Sequence, residues 1–282
     1  MENAFSYAGK RALVVGCYSG MGAATAEIVQ SLGGEVHGVD YKSPDAELAS
    51  FTACDLRDEA EIDAMLASVG ASWDAVFYCA GLPQTHPPID VMKVNFMAMR
   101  KVVDGLAAGM SQGSSVAIVS SNAGLQFMEH MGEINELIDT PDFAAANAWC
   151  LERPELVAEG YTFSKEAIIV YTMRRAIDVV GRGIRLNCIS PGPTATPMMP
   201  EFVKAAGAEL IDAFQGPMNR KAQPAEMGWP LAFLNSDGAS FITGLNLIVD
   251  AGFVAGVTTG AIDVMALFAA GQAAMEERLG AG

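Results

Sequence analysis

Two residues of this chain are spaced for proton chemistry. Tyr161 and Lys165 stand four apart in Tyr161-Thr162-Phe163-Ser164-Lys165, inside a stretch whose apolar spacing predicts a helix over 160–180. Residues i and i+4 share a helix face, so the phenol and the ammonium lie side by side. A neighbouring cation favours phenolate and draws the tyrosine pKa down from about 10 toward working pH, as a base for an alcohol proton requires. Tyrosine and lysine are common on amphipathic helices, so the pair takes its meaning from its company. A second group is Gly16-Cys17-Tyr18-Ser19-Gly20-Met21-Gly22. Glycines placed between a strand and a helix let backbone N–H groups approach a pyrophosphate at the helix N-terminus. The competing reading is a plain glycine-rich turn. Asp40 closes the next predicted strand, where a carboxylate accepts both ribose hydroxyls of NAD and repels the 2′-phosphate of NADP. A surface aspartate in a turn is the alternative. Residues 17–19 bring no base to offset that repulsion, and Lys42 is the one cation nearby. Asp55 either caps a helix or meets an adenine amino group. Cys79-Ala80-Gly81 leaves a later strand with backbone free to pass close to a ligand.

These residues need elements to hold them. Short β-branched runs predict strands over 11–15 (RALVV), 35–39 (EVHGV), a third ending at 51–53, 75–78 (AVFY), 115–119 (SVAIV), 184–188 (IRLNC) and 246–249 (NLIV). Helical spacing occupies 20–32, 58–69, 89–110, 201–214 and 224–234 as well as 160–180. Continuous apolar strands separated by helices make a parallel sheet covered on both faces. With right-handed crossovers this is an α/β, doubly wound Rossmann domain around a central parallel seven-stranded sheet. Two segments exceed that plan. Residues 122–160 are too long for a βα loop and carry eight acids against Arg153, a net of −7; their apolar spacing predicts helices. Residues 253–282 form a tail in which Ile262, Met265, Leu267, Phe268 and Met275 predict a helix. The expected organisation is one catalytic domain over 1–252, with the insertion 122–160, and an extension over 253–282.

Composition narrows the classes. The chain has 282 residues, 51% of them hydrophobic and 18% charged, which excludes a disordered or fibrous protein. Its net charge of −16 argues against nucleic acid and anionic membrane surfaces as partners. Five cysteines (17, 54, 79, 150, 188) are odd in number and lack metal spacing, favouring reduced thiols and a cytoplasmic home. Residues 1–10 hold no apolar signal core, and the most apolar stretch, 244–275, is broken by Asp250, Asp263 and glycines. His37, His86 and His130 make no ligand cluster, so no metal is expected.

Taken jointly and in order, the glycine loop, Asp40, Cys79-Ala80-Gly81, Val94-Asn95, Ser120-Ser121, Tyr161-x-x-x-Lys165 and Pro191-Gly192-Pro193-Thr194 resemble a short-chain dehydrogenase/reductase of the classical type over about residues 8–252. The resemblance implies a catalytic tetrad of Asn95, Ser121, Tyr161 and Lys165. Ser121 would hydrogen-bond the substrate oxygen, and Tyr161 would take or return the alcohol proton. Lys165 would hold the nicotinamide ribose and depress the tyrosine pKa. Asn95 would shape its helix around a water linking Lys165 to solvent. The resemblance likewise assigns NAD contacts to Gly16, Ser19, Gly20, Met21, Gly22, Asp40, Asp55 and Leu56. It adds Ala80, Gly81, Tyr161, Lys165, Pro191, Gly192, Thr194 and Thr196, with Ile189 implicated beside the turn over 191–196. A homodimer or homotetramer is expected on the same ground.

Departures from the family pattern bear on substrate and assembly. Val15 stands where a Thr commonly precedes the first glycine, and Cys79 replaces the usual Asn. Ser121 and Tyr161 are 40 positions apart rather than close together. That insertion, with the stretches over 80–85 and 185–193, resembles the branch holding bacterial 3α-hydroxysteroid dehydrogenase/carbonyl reductase and coniferyl-alcohol dehydrogenase. In the steroid enzyme the insertion serves dimer contact, so here it is a subunit interface or a lid, or its acids are a solvated face. Met198, Met199, Phe202 and Val203 lie where the family places a substrate lid; a stripe packing on the sheet would use the same residues. The expected activity is hydride transfer between NAD and the hydroxyl or carbonyl of a largely apolar, cyclic or aromatic molecule. A non-catalytic dinucleotide sensor is the rival, though a sensor has no use for the Tyr–Lys base. An enoyl reductase expects wider Tyr–Lys spacing, and a methyltransferase needs no such pair.

Overall fold

The computed structural model describes residues 3–70, 72–158, 160–267 and 269. Phe268 and Met275, two of the tail's expected helical positions, lie outside them, as does Glu159. In chain order the elements are β1 (Arg11–Val15), α1 (Gly20–Ser31), β2 (Glu35–Asp40), β3 (Ser50–Ala53), α2 (Glu59–Val69) and β4 (Ala75–Tyr78). There follow α3 (Pro88–Met92), a π-helical turn (Lys93–Ala98), α4 (Met99–Gly109), β5 (Ser115–Val119), a 3-10 turn (Asn122–Gln126), α5 (Met131–Ile138) and α6 (Phe143–Leu151). The last are α7 (Gly160–Val180), β6 (Arg185–Pro191), α8 (Met199–Ala206), α9 (Ala208–Ala213), α10 (Pro224–Asn235), β7 (Asn246–Val249) and α11 (Phe253–Thr258).

The seven strands run parallel in the order β3-β2-β1-β4-β5-β6-β7. Because side chains alternate along a strand, the central strands feed two cores. Leu13, Val15, Val76, Tyr78 and Ile118 face α2, α4 and α7, whereas Ala12, Val14, Phe77, Ala117 and Val119 face α1 and α10. The order reverses between β1 and β4, where a crevice opens beyond the strand ends. Here Gly16 N–H donates to Val39 O (2.8 Å) and Cys79 N–H to Val15 O (2.7 Å), which ties the loops after β1 and β4 to the sheet.

Three element expectations change. The single helix expected over 89–110 is three pieces, because a π turn over Lys93–Ala98 interrupts it. The helix expected over 201–214 breaks at Gly207 (φ 86°), a left-handed backbone that ends α8 and starts α9. The sixth strand runs to Pro191 rather than stopping at 188.

The insertion is docked rather than free. Ile134, Leu137, Phe143, Ala146, Trp149 and Val157 belong to the core beneath α4 and α7. The Trp149 ring stacks on Phe163 of α7 (6.2 Å, 10°). Arg100 of α4, 6% exposed, donates to the carbonyls of Leu137 (3.0 Å), Ile138 (3.0 Å), Thr140 (3.1 Å) and Asp142 (2.8 Å). A cation thus satisfies the orphan carbonyls at the end of α5 and pins the α5–α6 connection. The acids stay outside: Glu133, Glu136, Asp139 and Glu152 are exposed or nearly so.

Candidate active site

The crevice assembles from the motifs in turn. Ser19 starts α1 in extended conformation, with no side-chain cap on the helix and no acid in its first turn. The first N–H groups of this twelve-residue helix are therefore open to an anion. Gly22 is compulsory, since a Cβ there would lie 1.9 Å from Gly16 O; Gly16 (φ 90°) would meet Ala80 N at 2.4 Å. The glycine loop and the Ala80–Gly81 turn thus pack backbone on backbone. Across the crevice, the turn after β6 brings Thr196 against Gly20, where an added Cβ would meet Thr196 Cγ2 at 3.2 Å. Thr194 is turned inward, 2% exposed, its hydroxyl donating to Gly192 O (3.0 Å). Gly192 itself packs on Asp250, where a Cβ would come within 3.1 Å of Cα.

Asp40 sits at the crevice end of β2, 8% exposed, its Oδ2 accepting from Tyr18 N–H (2.9 Å). Asp55 caps the single turn over 56–58, its Oδ1 accepting from Arg57 N–H (2.9 Å), but does not cap α2. Asp58 does, accepting from Ala60 N–H (2.8 Å), while Asp55 is clasped by Arg57 (Nε at 3.0 Å), which holds its carboxyl below the usual range. Leu56 is a buried core side chain.

The four tetrad positions converge. Asn95, fully buried within the π turn, accepts from Leu82 N–H (2.7 Å) and donates to Leu82 O and Ser164 Oγ (both 3.1 Å). It links the segment after β4 to α7. An extra residue in the helical turn is what swings this side chain inward, and such π bulges recur at functional sites. Ser121 caps the 3-10 turn, its Oγ accepting from Ala123 N–H (3.1 Å), and its hydroxyl is near enough to the Tyr161 phenol to favour the charged form. Lys165, 4% exposed, donates to Val119 O (3.0 Å), with its ammonium 5.6 Å from the Tyr161 ring centroid. Phe202 of α8 sets its ring against Tyr161 at 5.1 Å and 70°. Of the residues expected in a lid, this one touches the site.

The electrostatics correct one expectation. Burial raises the Tyr161 pKa, and the nearby Ser121 hydroxyl opposes it without reversing the direction. Burial also brings Lys165 down to about 8. Both groups titrate against desolvation, which penalises phenolate and ammonium alike, and the lysine spends its closest contact on a carbonyl rather than on the phenol oxygen.

One pair escaped the sequence reading. Glu166, its side chain 1% exposed, accepts from His130 Nδ1 (2.7 Å), and burial raises its pKa. An acid followed by Ala167-Ile168-Ile169-Val170 was the available signal. His37 pairs with Glu35 and Ser50 away from the crevice.

Comparison with known proteins accords with this geometry. Residues 10–133 match the short chain dehydrogenase family, and residues 152–254 match the family described as enoyl-(acyl carrier protein) reductase. The chain is 32% identical over 244 residues to the coniferyl-alcohol dehydrogenase of Pseudomonas sp. (strain HR199 / DSM 7063), covering 86% of this chain and 96% of that one. It is 31% identical over 246 residues to the 3-alpha-hydroxysteroid dehydrogenase/carbonyl reductase of Comamonas testosteroni, covering 85% and 95%. Among solved structures, the 3-alpha-hydroxysteroid dehydrogenase of Pseudomonas sp. B-0831 complexed with NADH superposes with a TM-score of 0.74 at 28% identity, covering 90% of this chain and all of that one. The chain belongs to the short-chain dehydrogenase/reductase family. It is an oxidoreductase acting on CH–OH donors with a nicotinamide cofactor.

Proposed function

We propose that this enzyme transfers hydride between NAD and the hydroxyl or carbonyl of a largely apolar, steroid-like, alicyclic or aromatic alcohol or ketone. The observation that carries the reading is the convergence of Asn95, Ser121, Tyr161 and Lys165 beside a glycine loop and an amide-anchored Asp40. The uncapped start of α1, the glycine contacts and Asp40 fit a dinucleotide carrying an unphosphorylated ribose. The nicotinamide supplies the hydride acceptor or donor and, when oxidised, a positive charge. The remaining work falls to this chain. Ser121 orients the substrate oxygen and donates to it. Tyr161 accepts the alcohol proton, or returns it in reduction. Burial holds Tyr161 protonated in the free chain, and Lys165 beside it is ammonium below about pH 8. Asn95 fixes the loop after β4 against α7, which keeps Lys165 and Tyr161 in register.

Two things support an apolar substrate: Phe202 against Tyr161 and the names of the similar enzymes. The rival reading, a sensor that binds NAD without turnover, is opposed by the assembled tetrad. We also infer self-association, supported by Phe241 (102% exposed), Leu245 and Ile248 along the free edge formed by β7. A cytoplasmic location suits five free cysteines, four of them buried. Among the described residues no helix is long and apolar enough to cross a membrane.

The test is NADH formation at 340 nm across steroid, aromatic and alicyclic alcohols, with Tyr161→Phe alongside. Turnover by the wild type and its loss in the variant, with NAD binding retained, is the expected result. An unchanged rate removes Tyr161 as the base; no turnover on any alcohol despite tight NAD binding restores the sensor.

A further inference from the structure

The start of the crevice beside Asp40 holds a side-chain arrangement that the reaction does not use. Both carboxylate oxygens of Asp40 are held by backbone, Oδ2 by Tyr18 N–H (2.9 Å) and Oδ1 by Lys42 N–H (3.4 Å). The side chains of those two donors then converge with Tyr41. The Lys42 ammonium lies 5.4 Å from the Tyr18 ring centroid and 5.0 Å from that of Tyr41, and the rings meet edge to face at 6.3 Å. Asp40 is two residues away, yet the lysine forms no ion pair within 4.0 Å with any described carboxylate. Tyr18 and Tyr41 are 39% and 65% exposed, and neither phenol oxygen hydrogen-bonds another described residue. Two aromatic rings displayed to solvent around one ammonium contribute little to the fold. They do govern where Lys42, the cation nearest Asp40 in sequence, stands.

We propose that Tyr18, Tyr41 and Lys42 are a cofactor-selecting latch, in which the rings hold the lysine ammonium and so withhold it from a phosphate on the adenosine 2′-oxygen. This rests on the reading that Asp40 meets that ribose. Asp40 repels a 2′-phosphate, and a free lysine two residues on would offset the repulsion. An ammonium seated on ring faces has exchanged part of its hydration for them and must leave both rings to reach a phosphate. Selection against the phosphorylated cofactor therefore has two sources, the carboxylate charge and the detained cation.

The experiment measures Kd for NAD⁺ and for NADP⁺ by titration calorimetry on the full chain, so the readout is binding rather than turnover. Leucine at both rings (Tyr18→Leu with Tyr41→Leu) frees the lysine and should tighten NADP⁺ relative to NAD⁺ by about five-fold or more, the worth of two exposed ring–ammonium contacts. Phenylalanine at both keeps the rings and should keep the wild-type ratio. Adding Lys42→Ala to the leucine pair should cancel the gain. A ratio unmoved by the leucine pair, or a gain that survives loss of Lys42, overturns the latch. Asp40→Asn is the separate arm. If it narrows the gap between the cofactors while the leucine pair does nothing, the ribose reading stands and the latch falls. If it moves neither Kd, both fall.

Discussion

Lys165 is a buried base held below its ordinary pKa, and this makes its cost measurable. Its folded pKa of about 8 lies below the unfolded value of about 10.5, so the unfolded chain binds more protons between those limits and stability rises with pH there. Below pH 8 the burial cost is fully present. Lys165→Met should therefore stabilise the fold at pH 7 by up to about 3 kcal/mol, the gain fading as pH climbs from 8 toward 10.5, while turnover is lost. Urea denaturation at pH 7 and pH 10 checks it; equal gains at both values would show that the pKa shift is not the cause. The same residue links to kinetics, because a site that uses the ammonium loses rate above about pH 8.

The insertion and α7 behave as one element pair. His130 begins α5 and reaches the buried Glu166, one position after Lys165, while Trp149 of α6 stacks on Phe163, two positions before it. A segment held by a buried acid, a ring stack and four carbonyls on Arg100 is docked firmly on α4 and α7. Removing the imidazole strands a carboxyl that burial already disfavours as an anion. His130→Ala should cost about 2 kcal/mol at pH 7, and Glu166→Gln in that background should recover part of it. Both are read from the midpoint of urea unfolding. The helix break at Gly207 has the opposite consequence: α8 and α9 bury no residue fully, which leaves Phe202 on an element with little holding it.

For the molecule as a whole, the charge of −16 is uneven, since the insertion carries −7 of it and turns its acids outward on a docked scaffold. The start of the tail packs within its own chain: Phe253 is 4% exposed and meets Phe214 at 4.8 Å. The self-association we propose would use the β7 edge. Phe241→Asp should lower the mass in solution seen by light scattering without altering the unfolding midpoint by more than about 0.5 kcal/mol, as a surface change should. An unaltered mass moves the interface elsewhere.

Residue types and spacing were enough to read the sheet, its seven strands and the positions of the tetrad, because those signals are local: apolar runs, glycines before a helix, and a tyrosine one helical turn from a lysine. The π turn at Asn95 was not legible, since its helix-forming residues are compatible with an ordinary helix and only contacts with Leu82 and Ser164, 13 and 69 positions away, show what the bulge achieves. Nor was the sign of the Tyr161 shift, which depends on how much water the folded crevice excludes rather than on the distance along a helix to Lys165. How the insertion docks on α4 and α7, and where Lys42 rests, likewise depended on groups that meet only once the chain is folded. The sequence by itself determined which chemistry is available; the tertiary structure decided how each group is held, because burial and long-range contacts, not spacing, set its charge and its freedom.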